Sequence, residues 1–144
     1  MASISASVLD KYEVGIGFRL ENERLISEDD IKMFAAVSGD YNPVHLDNEF
    51  AKKTFFKGII AHGAFSQALL SAVMAQLPGL VIFHSQSIKF LNPVRVGDTI
   101  CVIAEVTEIN KESGSLVLKN LCVNQKGEKV VEGESKVRIF EKPM

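Results

Sequence analysis

Asp40 and His45 are the pair best placed to do chemistry in this sequence. They sit on one short turn, with Asn42-Pro43 between them. Pro43 fixes its own φ and pushes Asn42 toward extended backbone. Such a turn can hold a carboxylate and an imidazole at a set separation. Sharing one water, the two would act as an acid–base pair near neutral pH. Taken alone, the Asp-x-x-x-x-His spacing fits a polar helix-ending turn with a surface histidine better than it fits a catalytic pair.

Ala61-His62-Gly63 is the second feature. It opens a long apolar segment that reads as a helix. Free N–H groups at a helix start, with the helix dipole, favour a developing negative charge. Gly63 has no side chain, so a carbonyl oxygen can approach its N–H closely. That is the chemistry of an oxyanion site. A glycine kept for close packing against a sheet explains the position equally well. His62 reads as a packing or helix-start residue within reach of a ligand. Ser71 reads as a small polar residue satisfied in the core, because nothing around it resembles the G-x-S-x-G elbow of a nucleophile. His84 reads as a structural residue in mid-strand. The three histidines lack a ligand spacing such as H-x-x-x-H, so no metal is expected. Lys52, Lys53 and Lys57, beside Phe55 and Phe56, would attract the phosphates of a carrier such as coenzyme A. A solvated basic loop is the simpler account of them.

The elements that position these residues are legible. Ser27-Glu28-Asp29-Asp30 reads as a capping box with Asp30 in the third helical position. Ile31, Phe34 and Ala35 then give one apolar face, and Gly39 ends the helix just before Asp40. Asp47 to Lys53 suits a helical turn or two. The next long helix, from about His62 to Leu77, contains no charged residue and is apolar nearly all round. Such a helix is expected to be buried on nearly all sides, and a curved sheet is its natural cover. Alternation over 81–90, 99–109, 115–124 and 129–140 predicts four strands in an antiparallel meander. The turn from Pro93 to Asp98 separates the first two. Tyr12 to Leu20 is expected to add a first strand, and residues up to about Lys11 read as a loose or strand-adding tail.

A chain of 144 residues suits one domain, residues 1–144 with a core over about 15–140. Its net charge of −2 argues against a nucleic-acid binder, which needs a basic face. The N-terminus has no basic or long apolar leader, and the apolar stretch from Ala64 to Leu80 is too short and too broken for a membrane span. A cytoplasmic location is expected. Cys101 and Cys122 are expected to be buried thiols, bridged only if their strands are neighbours in register.

The run from Phe34 to Asp47, containing Asp40, Asn42-Pro43 and His45, resembles the signature of the MaoC-like, (R)-specific enoyl-CoA hydratases. Gly58 to Gly63 matches a second block of that family. Gln86 to Phe90 with the Pro93–Asp98 turn matches a third. The resemblance spans about Gly15 to Phe140. It implies an α+β hot-dog fold, in which an antiparallel sheet wraps a long central helix. It implies a homodimer joined sheet edge to sheet edge, with acyl tunnels near the interface. The family's catalytic residues fall on Asp40 and His45, its carbonyl-holding amide on Gly63, and a supporting serine on Ser71. Asn42 belongs to the motif and orders the turn or the site.

The implied activity is that of a hydro-lyase, reversible hydration of a trans-2-enoyl-CoA to an (R)-3-hydroxyacyl-CoA. No cofactor is needed, since coenzyme A or an acyl-carrier protein only carries the substrate. Three alternatives stand beside this reading: a 3-hydroxyacyl-carrier-protein dehydratase, an acyl-CoA thioesterase, and a non-catalytic acyl-CoA-binding module. Phe55, Phe56, Leu69 and Met74 are the candidates for closing the acyl tunnel.

Overall fold

A computed structural model describes residues 7–143. In chain order the elements are α1 (Val8–Lys11), β1 (Arg19–Leu25), α2 (Glu28–Ser38), α3 (Pro43–Leu46), α4 (Asn48–Lys52), α5 (Gly63–Met74), β2 (Leu80–Phe90), β3 (Thr99–Asn110), β4 (Ser115–Val123) and β5 (Lys129–Phe140). The five strands form one antiparallel sheet in the order β1-β3-β4-β5-β2. Its concave face lies against α5, which is the hot-dog arrangement.

The core is the seam between that face and the helix. Leu70, Val73, Met74 and Leu77 meet Val102, Ala104, Leu118, Val131 and Val137, all of them buried. Each large side chain sealed there contributes about 1.5–3 kcal/mol.

Two strand expectations are corrected. β2 does not pair with β3; it joins the far side of β5. The linking residues are committed elsewhere: Leu91 N–H donates to the Val130 carbonyl, Val94 O accepts from Ala61, and Gly97 N–H donates to Ile26 O. The link therefore crosses the end of the sheet instead of turning back as a hairpin. The first strand begins at Arg19, not at Tyr12. Glu13 and Gly17 both have positive φ, which no strand tolerates. Upstream, residues 8–11 form a helical turn with Leu9 fully buried. The rest of the expected tail, residues 1–6, lies outside the described residues.

The all-round burial expected of the long helix is also corrected. Ala64, Ala68, Ser71 and Ala72 form an exposed face, because an open sheet can cover only one side of a helix. The two cysteines sit on neighbouring strands but one register step apart: Cys101 faces Val123, and Val102 faces Cys122. Their side chains leave opposite faces, so both are free thiols. Cys101 is half-buried on the outer face, where its Sγ–H donates to Glu21 Oε1 at 3.1 Å. Burial pushes the thiols up to about 11 at Cys101 and about 12 at Cys122, which keeps them unreactive. Among the described residues, no helix is long and apolar enough to cross a membrane.

The capping box forms as expected. Asp30 N–H donates to Ser27 Oγ at 3.1 Å, and Ser27 N–H donates to Asp30 Oδ2 at 2.9 Å. That backbone donor, helped by the Ser27 hydroxyl and Arg24, holds the Asp30 carboxyl below its ordinary value against the opposing effect of burial. A carboxyl lowered in the folded state stabilises the fold above its unfolded value, and the contribution is lost as pH falls through the folded value. Ser27→Ala is expected to cost about 1 kcal/mol. Asp30→Asn should lower the melting temperature at neutral pH, with a deficit that shrinks in acid once the pH falls through the lowered Asp30 value. A deficit that stays the same into acid would contradict this.

Candidate active site

The end of α2 delivers Asp40. Gly39 takes the left-handed conformation at φ 79° and donates its N–H to Ala35 O, which releases the chain from the helix. Ser38 Oγ donates to Phe34 O at 2.7 Å and accepts from Asp40 N–H at 3.1 Å. Asp40 Oδ1 then accepts the Asn42 N–H at 3.1 Å. Asn42 Oδ1 accepts the Val44 N–H at 3.3 Å, and Pro43 occupies the first turn of α3. Asn42 thus caps the four-residue helix that carries His45 while its backbone steadies the Asp40 carboxylate. The same helix turns His45 inward, leaving it 9% exposed.

His45 Nδ1 lies 2.8 Å from the Ile60 carbonyl oxygen. A carbonyl only accepts, so Nδ1 carries a hydrogen, and in the neutral ring Nε2 keeps its lone pair. The His62 ring stacks on His45 at 3.9 Å between centroids and 28° between planes, and its centroid lies 5.0 Å from that of the Phe34 ring. His62 Nε2 donates to the Asp40 carbonyl at 2.9 Å by the same logic. Its Nδ1 is then a buried lone pair with no hydrogen-bond partner. His62 occupies the N-cap position of α5 but makes no side-chain cap bond. It ties α5 to the turn that bears Asp40.

Asp40, His45 and His62 bring one oxygen and two ring nitrogens within 4.8 Å of one another. That spacing lets a divalent cation be embraced, although each imidazole already commits one nitrogen to a carbonyl. No sequence spacing announces this grouping, because the fold brings His62 to His45 from a separate element.

A cavity of about 520 Å³ opens beside them, lined by His45, Phe56, Gly63, Gln67, Phe90 and Val94 among others. Gly63 is the first residue of α5, so its N–H has no partner within the helix. A Cβ at this position would come within 2.7 Å of the Phe90 ring. The glycine therefore meets both sequence readings at once: a free amide at the cavity and a tight fit against β2. Asp40 itself is exposed and outside the cavity lining, but its carboxylate lies within 4.8 Å of the imidazoles that line it. An imidazole and a helix-start amide in the lining, with a carboxylate at the margin, suit proton transfer beside a carbonyl whose oxygen gains charge.

The remaining candidates lie elsewhere. Ser71 is on the exposed face of α5, outside the cavity lining, whereas the buried Ser66 lines it. Of the tunnel candidates, only Phe56 lines the cavity. Phe55 is 84% exposed, Met74 is sealed in the core and Leu69 packs against the core. Lys52 pairs with Glu49 at 3.5 Å, and Lys53 and Lys57 are exposed. His84 lies mid-strand as expected, exposed, where the β2 register shifts between Phe83 and Ser85. Sequence reasoning missed the Ile60 carbonyl, which carries no side-chain signal, and the neighbour that makes Gly63 necessary, Phe90. It also missed Gln67, whose partners come from strands far along the chain.

Residues 11–127 match the family described as MaoC like domain. An (R)-specific enoyl-CoA hydratase of Rhodospirillum rubrum is 41% identical over 118 residues, covering 81% of each chain. A 3-hydroxybutyryl-CoA dehydratase of Methylorubrum extorquens is 39% identical, covering 90% of this chain and 82% of the relative. The unliganded R-hydratase of Pseudomonas aeruginosa superposes with a TM-score of 0.83 at 40% identity, covering 91% of this chain and 86% of that one.

His62→Phe keeps the ring stack, removes the orphaned nitrogen and breaks the bond to the Asp40 carbonyl. Its stability is expected to stay within about 1 kcal/mol of the parent, while amide hydrogen exchange accelerates across residues 40–45. Unchanged exchange in that turn would show that His62 does not hold it.

Proposed function

The chain belongs to the MaoC-like domain family, and from that premise we propose that it is an (R)-specific enoyl-thioester hydratase, a hydro-lyase adding water reversibly to trans-2-enoyl-CoA to give (R)-3-hydroxyacyl-CoA. One observation carries the reading. His45 and Gly63 line one apolar cavity, and the exposed Asp40 carboxylate lies at its margin, within 4.8 Å of the two imidazoles.

Asp40 and His45 hold one water between them. His45 Nε2 takes a proton from it as the oxygen attacks C3. Charge moves onto the thioester oxygen, where the Gly63 N–H and the α5 dipole stabilise it. The proton is returned to C2 on the same face, with Asp40 orienting the water and relaying the proton. One water is consumed, no electrons are transferred, and the thioester stays intact. Redox cofactors therefore have no step here, and coenzyme A serves only as the carrier of the substrate. Asn42 acts through the turn, by holding Asp40 and α3 in place. Ser71 would support the site only from a face that a second subunit covers.

A homodimer belongs to the same proposal. β2 is an edge strand with Leu80, Ile82 and Phe83 each at least 40% exposed. An open apolar edge invites pairing with another strand. The small-residue face of α5 lies uncovered in the single chain. A cytoplasmic location is proposed too, in keeping with two free thiols and a reducing compartment.

The test is loss of enoyl-thioester absorbance with crotonyl-CoA, followed by stereochemical analysis of the product. Asp40→Asn and His45→Ala are each expected to lower turnover by about 10²–10⁴-fold with little change in melting temperature. Parent-like rates in either variant would remove that residue from the mechanism. Release of free thiol in place of hydration would indicate a thioesterase.

A further inference from the structure

One side of the apolar cavity is lined by Gln67, the outer member of a polar network that serves there as its floor. Gln67 lies one turn beyond Gly63 on α5, about 6 Å along the helix axis, and lines the cavity. Its Nε2 donates to Gln86 Oε1 at 3.3 Å. Gln86 Nε2 in turn donates to Asn120 Oδ1 at 2.9 Å and to Ser135 Oγ at 3.2 Å. The Ser135 hydroxyl donates to Asn120 Oδ1, and Asn120 Nδ2 reaches Met74 Sδ at 3.8 Å. Asn120 and Ser135 are fully buried, as are Leu70 and Met74 beside them.

This floor has no slack. Asn120 pairs with Gly133 on β5, and Gly133 pairs with Ile88 on β2. A Cβ on Gly133 would come within 2.1 Å of the Ser87 carbonyl oxygen, so the backbones are pressed together at the level of the network. Gln86 cannot swing away without losing its bonds to two buried acceptors, Asn120 Oδ1 and Ser135 Oγ. Its Oε1 therefore stays aimed at Gln67, and Gln67 presents the rest of its amide to the cavity.

We propose that Gln67, held by Gln86, is the residue that limits the acyl chain and makes the enzyme selective for short enoyl thioesters. The inference rests on the hydratase reading and names its substrate class. With the thioester oxygen at the Gly63 N–H and C3 at the His45–Asp40 pair, only carbons beyond C3 extend toward the floor. A crotonyl chain has one such carbon and leaves the amide of Gln67 hydrated. A longer chain strips water from that amide and offers it no partner. Unpaired polar groups in a site discriminate against a substrate by on the order of tenfold or more.

The experiment is a chain-length profile of kcat/KM on crotonyl-, hexenoyl- and octenoyl-CoA for the parent, Gln67→Leu and Gln67→Ala, each checked for an unchanged melting temperature. The parent should favour crotonyl-CoA over octenoyl-CoA by about tenfold or more. At least one variant should narrow that ratio to within about threefold by gaining on the long chain. Gln67→Ala removes the amide without adding bulk, so it separates chemistry from size if Gln67→Leu fills the space. A parent that prefers octenoyl-CoA, or profiles unchanged in both variants, would overturn the assignment of Gln67 while leaving the hydratase intact. No hydration of any chain by the parent would overturn the hydratase reading, and this proposal with it.

Discussion

Two backbone carbonyls, at Asp40 and Ile60, decide what the two stacked imidazoles can do. Each accepts from one ring nitrogen, at 2.9 Å from His62 and 2.8 Å from His45. Because a carbonyl cannot donate, each bond fixes the tautomer of the neutral ring, in which the opposite nitrogen is bare. At His45 the bare nitrogen is the one needed as a base. At His62 it is a buried orphan, a defect costing about 1–3 kcal/mol. Keeping such a group is understandable when its other nitrogen holds the turn that carries Asp40.

The rest of the fold serves to bring those carbonyls and rings together. Gly39 and Ser38 turn the chain off α2 so that Asp40 faces α5. Asn42 and Pro43 start the short α3 that swings His45 under Ile60. Ala61 N–H binds the Val94 carbonyl, which fixes the approach to α5 against the β2–β3 crossover. Phe90 then fills the space that a side chain at 63 would take. The sheet anchors α5 through a closed seam of aliphatic side chains, so the helix start, with its free amide, stands still beside the two imidazoles.

Much of this could be read from residue order. Capping at Ser27, the stop at Gly39, the Asn-Pro turn and the long uncharged helix are local signals, and each has a local physical cause. The alternation over the last four strands was equally legible, whereas the Asp40–His45 pair stood out only through the family resemblance, since its spacing alone fits an ordinary helix-ending turn. What escaped were relations between distant segments. The register that sends Cys101 and Cys122 to opposite faces depends on strand offset, and composition does not encode it. The move of β2 to the far edge depends on where the crossover spends its hydrogen bonds. The exposed face of α5 is hydrophobic enough to read as core, but a single chain has no second sheet to cover it. The Gln67–Gln86–Asn120–Ser135 network joins residues far apart in the chain, each of them unremarkable alone.

The most direct test of this picture is the tautomer of each ring, read from long-range ¹H–¹⁵N correlations of the histidine side chains near neutral pH. The expected result is His45 protonated on Nδ1 with a bare Nε2, and His62 protonated on Nε2 with a bare Nδ1. A His45 ring protonated on Nε2, or on both nitrogens, would leave no base facing the cavity and would contradict the mechanism built on it.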